Sequence, residues 1–181
     1  MLRRLASCVT VALVAGCATM STLPSVSPGR TPPALRGHVD FDGNREYLPA
    51  PLATLSAASP ESTTVFRYRY GVEYDDLDLS VLALFNPLTL LGCPTGSVSV
   101  VAEGTLEVTA NGQPVKRYTA RTVASRVRTV YSGDPLSDLR RSALRATAES
   151  IAGQVAADGA MLAALPESGA VGTPDTTGGE P

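Results

Sequence analysis

The chain has 181 residues with 15 basic and 17 acidic side chains, one histidine, three cysteines and no tryptophan. A formal net charge of −2 lacks the basic excess that holds a protein on nucleic acid. The length supports one domain, and three cysteines are too few for a disulfide-dense scaffold.

At the N-terminus Arg3 and Arg4 precede an apolar stretch over 5–13, and small residues follow at Ala15 and Gly16. That order, charged then apolar then small, is the layout of a secretory signal. The stretch is too short for a bilayer span, which takes about 20 apolar residues in a helix.

The run Val14-Ala15-Gly16-Cys17 resembles the lipobox of bacterial lipoproteins, a family that more often has Leu where Val14 stands. The resemblance implies chemistry at one atom. The Cys17 thiol receives a diacylglycerol, a peptidase cuts in front of it, and the freed amine is acylated. By the same resemblance, Ala18 rather than Asp after the cysteine directs the protein to the outer membrane of a Gram-negative cell, facing the periplasm. Several acyl chains, each buried methylene contributing about 0.8 kcal/mol, make such an anchor effectively permanent. The competing expectation is an ordinary secreted protein cut near Gly16.

Cleavage before Cys17 makes 1–16 a removed signal and takes the formal charge from −2 to −4 as Arg3 and Arg4 leave. Cys8 leaves with them and Cys17 is consumed as anchor, so Cys93 stands alone and no disulfide is available within the mature chain. Its surroundings, Leu90-Leu91-Gly92-Cys93-Pro94, suit a small buried apolar role.

From 17 to 36 the composition is rich in Ser, Thr, Pro and Gly and reads as a flexible tether. As a coil such a tether reaches roughly 25 Å, standing the domain off the membrane. A single domain over 37–165 follows. Its first part, 38–62, has apolar residues without clean periodicity and is expected to pack irregularly. Over 63–75, Phe66, Tyr68, Tyr70, Val72 and Tyr74 alternate with Arg67, Arg69 and Glu73, which predicts a strand with an aromatic core face.

The stretch 77–91 is the most hydrophobic after the signal, and Asn86-Pro87 interrupts it too early for a membrane span. A short helix or strand over 81–85 and then a turn are expected, packed in the core. The functional alternative is an exposed apolar patch for a partner or a lipid surface.

The segments 98–110 and 115–127 flank Asn111-Gly112, a strong hairpin signal. Two registers are open: a plain two-residue turn sets Val108 opposite Val115 and Val100 opposite Val123. A shift of one sets Glu107 opposite Arg117, Glu103 opposite Arg121 and Leu106 opposite Tyr118. Pro114 lacks an amide hydrogen and suggests an edge.

A helix is predicted over 135–158, with Asp134 as N-cap and Pro135 at the first helical position. Leu136, Leu139, Ala143, Leu144, Ala148, Ile151 and Val155 form an apolar stripe opposite Arg140, Arg141, Arg145 and Glu149, so the helix reads as amphipathic. Gly159 is the expected C-cap, and 166–181 reads as a disordered tail.

Catalytic signals are sparse. His38 is the only histidine, so neither a zinc site nor a Ser-His-Asp triad assembles from recognisable spacing. Asp40-Phe41-Asp42-Gly43-Asn44 has its glycine too early for a calcium loop, and a turn is the better reading. Glu73, Asp75, Asp76 and Asp78 read as a solvated strand end rather than an acid–base pair.

The expected fold is therefore α+β, a small antiparallel sheet covered on one face by the C-terminal amphipathic helix. The expected function is non-enzymatic: a lipid-anchored envelope module that binds a protein or other envelope component, with no metal, cofactor or nucleic acid. The alternative is a lipid or amphiphile carrier using the apolar 81–91 segment, and an envelope hydrolase ranks behind both. Cys17 is the one functional residue expected.

Overall fold

The computed structural model describes residues 18–26, 34–55, 63–76, 87–129, 131–132 and 135–165. Strands β1 (Thr19–Leu23), β2 (His38–Asp40), β3 (Thr64–Asp76), β4 (Gly96–Ala110) and β5 (Gln113–Arg128) form one sheet in the order β1-β5-β4-β3-β2. Helix α1 (Ala50–Ala53) lies between β2 and β3; α2 (Pro135–Ala157) and α3 (Gly159–Ala163) follow the sheet. The fold is α+β, but the sheet is larger than expected and mixed, because β2 pairs parallel with β3. A parallel neighbour needs a crossover, and a 3₁₀ turn at Arg45–Tyr47 together with α1 supplies it.

Period-two alternation decides which face each strand buries. In β4 every even-numbered residue from Val98 to Ala110 is buried, and in β5 Tyr118, Ala120, Thr122 and Ala124 are. In β3, Phe66 and Tyr68 are buried, while the aromatic row leaves the core toward the strand's end, where Tyr74 is 51% exposed. Helix α2 crosses this face of β4 and β5 with Leu139, Ala143, Leu144, Thr147, Ile151 and Val155 buried. Arg140, Arg141, Arg145 and Glu149 are exposed. The close crossing needs Gly104: a Cβ there would stand 2.8 Å from Thr147 Cγ2 and 3.0 Å from Ile151 Cδ1.

The hairpin uses both registers. Asn111 (φ 53°) and Gly112 (φ 74°) make the tight turn, setting Ala110 opposite Gln113 and Thr109 opposite Pro114. A bulge between Val108 and Thr109 then leaves Val115 as the extra residue, so Val108 faces Lys116 rather than Val115, and Val100 faces Ala124 rather than Val123. Beyond it Glu107 faces Arg117, Leu106 faces Tyr118 and Glu103 faces Arg121. The reason is burial: without the extra residue Arg117, Thr119 and Arg121 would occupy the core face in place of Tyr118, Ala120 and Thr122. Pro114 sits where β5 extends past β1, whose pairing covers only Arg121 to Ser125.

The expected tether over 17–36 requires correction. Thr19–Leu23 pairs antiparallel with β5, Thr22 Oγ1 lies 3.1 Å from Thr122 Oγ1, and Ser150 on α2 donates to the Pro24 carbonyl at 2.8 Å. Val26 then packs on Gly153, where a Cβ would meet Val26 Cγ1 at 2.5 Å. The folded unit thus begins near residue 19 rather than 37. Composition misled because Thr and Ser, read as coil formers, here pair hydroxyls across an edge.

Residues 38–55 include regular elements, and α1 buries Pro51 and Leu52. Gly159 is not a cap but the buried first residue of α3. Asp134 and the 77–86 part of the apolar stretch, Asp78 included, lie outside the described residues, as do 1–17 and the 166–181 tail.

Candidate functional site

Three regions carry chemistry beyond packing. The first is the sheet face opposite α2, where odd-numbered side chains of β3, β4 and β5 meet solvent, including Arg67, Arg69, Glu103, Arg117, Thr119 and Arg121. Its charges are paired across strands. Asp40 takes Arg67 at 2.7 Å and Arg69 at 3.2 Å, Glu103 takes Arg121 at 3.2 Å, and Glu107 takes Arg117 at 3.6 Å. The Arg67 hydrogen bond holds the Asp40 carboxyl below the usual carboxylate range. In the Asp40-to-Asn44 turn, Asp40 is thus paired with two guanidiniums, and Asp42 is 91% exposed with a 3.9 Å approach to Arg69. A shallow depression of about 360 Å³ opens beside Leu23, Pro24, Glu103, Thr119 and Arg121.

The second region lies where β5 meets the end of α2. Asp158 Oδ2 accepts from Tyr118 at 2.9 Å and from Lys116 at 2.8 Å. The lysine, and after it the tyrosine, holds the Asp158 carboxyl below its ordinary value, while burial and then Asp158 push the Tyr118 phenol up. Tyr68 is fully buried and, among the described residues, its hydroxyl has no hydrogen-bond partner; burial pushes its phenol up as well. Phe41 and Tyr70 pack on the Tyr68 ring with centroids 5.5 and 6.2 Å away. These are structural roles, and the aromatic row is a core cluster at Phe66 and Tyr68.

The third region is the end of the sheet where β4 begins and β5 stops. Pro87–Leu91 forms a 3₁₀ turn ended by Gly92 (φ 85°), with the Gly92 amide on the Thr89 carbonyl and the Cys93 amide on that of Leu88. The turn is inside-out. Thr89 is only 3% exposed, whereas Leu88, Leu90 and Leu91 are 52%, 67% and 78% exposed. Thr95 donates its amide to the Arg128 carbonyl at 2.8 Å, and the hydroxyl of Tyr131, 71% exposed, donates to the Leu90 carbonyl at 2.6 Å. Two loops are therefore pinned together into one apolar ridge. The core role expected for 77–91 does not hold for these three leucines; the exposed-patch alternative describes them. Tyr131 carried no sequence signal, since nothing in the spacing places it against Leu90.

Of the residues singled out in the sequence, Cys17 lies outside the described residues. Cys93 is half-buried, and His38 pairs in β2 beside Val65. Glu73 and Asp75 are exposed on β3, as a solvated strand end requires. Among the described residues no group of three or more His, Cys, Asp or Glu side chains is placed to hold a metal, and no helix is long and apolar enough to cross a membrane. No protein family, curated protein or solved structure matches the chain.

Proposed function

We propose that this protein is an envelope lipoprotein, acylated on Cys17 and held on the periplasmic face of the outer membrane, whose domain is a non-enzymatic binding module. The observation that carries this reading is the run Val14-Ala15-Gly16-Cys17 behind Arg3, Arg4 and an apolar stretch. The binding part is supported by the open sheet face. It presents a flat set of paired arginines and carboxylates, the polar, mixed-charge surface a protein partner reads by complementarity. Its ionisable groups are engaged with one another rather than poised in a cleft, which favours recognition over catalysis.

The carrier alternative draws support from the exposed leucines of Pro87–Leu91, which among the described residues stand out toward solvent. The depression lined by Val39, Phe41, Leu48, Leu52 and Leu55 holds about 90 Å³. Pockets for drug-sized ligands run to roughly 300–1,000 Å³. The depression of about 360 Å³ beside Leu23 reaches that size, but the charged Glu103 and Arg121 line it and the described residues 87–91 do not.

The test is metabolic labelling with a fatty-acid analogue, followed by fractionation of wild type and Cys17→Ala. Label and membrane association are expected in wild type and absent in the variant; equal labelling of both overturns the anchor. For the binding module, crosslinking in intact envelopes is expected to capture a reproducible partner through the Arg117 and Arg121 face, and its absence counts against that role.

A further inference from the structure

We infer that the ridge of Leu88, Leu90, Leu91 and Tyr131 seats the domain directly on the lipid bilayer, next to the anchor. The inference rests on the acylation of Cys17 proposed above, and it replaces a domain standing off on a tether by one held flush against the membrane.

Thr19 is the first residue of β1 and lies opposite Ser125 of β5. Only Ala18 separates Cys17 from Thr19, so two steps of chain span at most about 7 Å. Because β1 and β5 are antiparallel, the chain preceding Thr19 emerges at the end toward which β5 runs, and β5 continues from Ser125 to Arg128, roughly 10 Å further. That is the end carrying the ridge: the Arg128 carbonyl binds Thr95, and Tyr131 binds Leu90. An acylated Cys17 would thus enter the bilayer at the sheet end from which the three leucines project.

The chemistry of the ridge fits lipid better than water. A five-residue turn that hides its threonine and exposes its leucines is unfavourable in solvent and favourable against acyl chains. Tyr131 has an apolar ring and a hydroxyl already bonded to the Leu90 carbonyl, which suits the headgroup boundary. Charges at this end are of both signs, with Arg126 and Arg128 on β5 against Glu73 and Asp75 on β3. Seating should therefore rest on apolar contact beside the anchor and need no anionic lipid.

The test uses the full-length protein purified from membranes and incorporated into phosphatidylcholine vesicles carrying a diazirine-tagged phosphatidylcholine. After irradiation, lipid adducts are mapped by mass spectrometry, and the same spectra report the fatty acid on Cys17. Adducts are expected on 88–91 and Tyr131. In Leu88→Ser/Leu90→Ser/Leu91→Ser they should fall at least about tenfold, a shift that burial of one leucine suffices to produce, with the Cys17 lipid and the melting temperature unchanged. Acylated protein with adducts elsewhere, or with a yield unaffected by the triple substitution, overturns the seat and leaves the anchor standing. Absence of the fatty acid overturns the anchor and the seat that depends on it.

Discussion

Thr147 on α2 hydrogen-bonds to Thr122 on β5, their hydroxyl oxygens 2.9 Å apart, and Thr122 lies 3.1 Å from Thr22 on β1. Thr147 also reaches the Ala143 carbonyl at 2.9 Å. The chain of hydroxyls runs from the edge strand through the sheet into the helix, so the segment read from composition as tether completes the hydrogen bonding of a buried group. Buried polar groups are costly when one partner is removed.

A chain beginning at Ser27 should therefore be less stable than one beginning at Ala18. It loses the β1–β5 ladder, the Thr22 contact, the Ser150 bond to Pro24 and the packing of Val26 on Gly153. The expected loss is about 2–4 kcal/mol. Thermal and urea unfolding of the two chains checks it. Equal midpoints would show that β1 contributes nothing to the folded unit.

Gly104 and Gly71 should respond oppositely to alanine. A Cβ at Gly104 meets Thr147 and Ile151 on a helix that cannot retreat without opening the core, and Gly104→Ala should cost about 1–3 kcal/mol. Gly71 in β3 has open space where its Cβ would sit, and Gly71→Ala should be neutral or stabilising by up to about 1 kcal/mol, chiefly through the unfolded chain. Denaturation midpoints of the two variants decide whether α2 crosses β4 as closely as described.

The Lys116–Asp158–Tyr118 cluster sets two limbs of a stability profile. The Asp158 carboxyl titrates below its ordinary 3.8, so its stabilisation is complete above that value and is lost as pH falls through the lowered one. Asp158→Asn should be less stable than wild type at neutral pH, with the gap closing only below about pH 4. The Tyr118 phenol titrates above its ordinary 10.0, so its contribution is complete below pH 10 and is lost as pH rises further. Tyr118→Phe should show a flatter alkaline limb. Urea unfolding across pH for the three proteins is the check, and parallel profiles would remove the cluster's role.

Local pattern was enough for the elements whose residues answer to their own neighbours. The alternation through Phe66 and Tyr68, the Asn111-Gly112 turn and the three- and four-residue spacing from Leu139 to Val155 each carry their structure in the sequence. A strand period, a positive φ and a helical stripe are all local properties. The proposed export signal and the proposed acylation of Cys17 also rest on local pattern alone, because a lipobox resemblance concerns four adjacent residues.

Tertiary packing decided the rest. The bulge at Val115 depends on keeping Arg117 and Arg121 off the core face, which requires a helix on the opposite side. The pairing of Thr19–Leu23 depends on an open edge of β5 about a hundred residues away. The outward turn of Leu88, Leu90 and Leu91 depends on Thr95 and Tyr131 pinning two distant loops together. A contact between distant segments has no local signature, and for that reason the sequence could set the period of a strand or a helix while only the fold could say which distant strands, edges and loops meet.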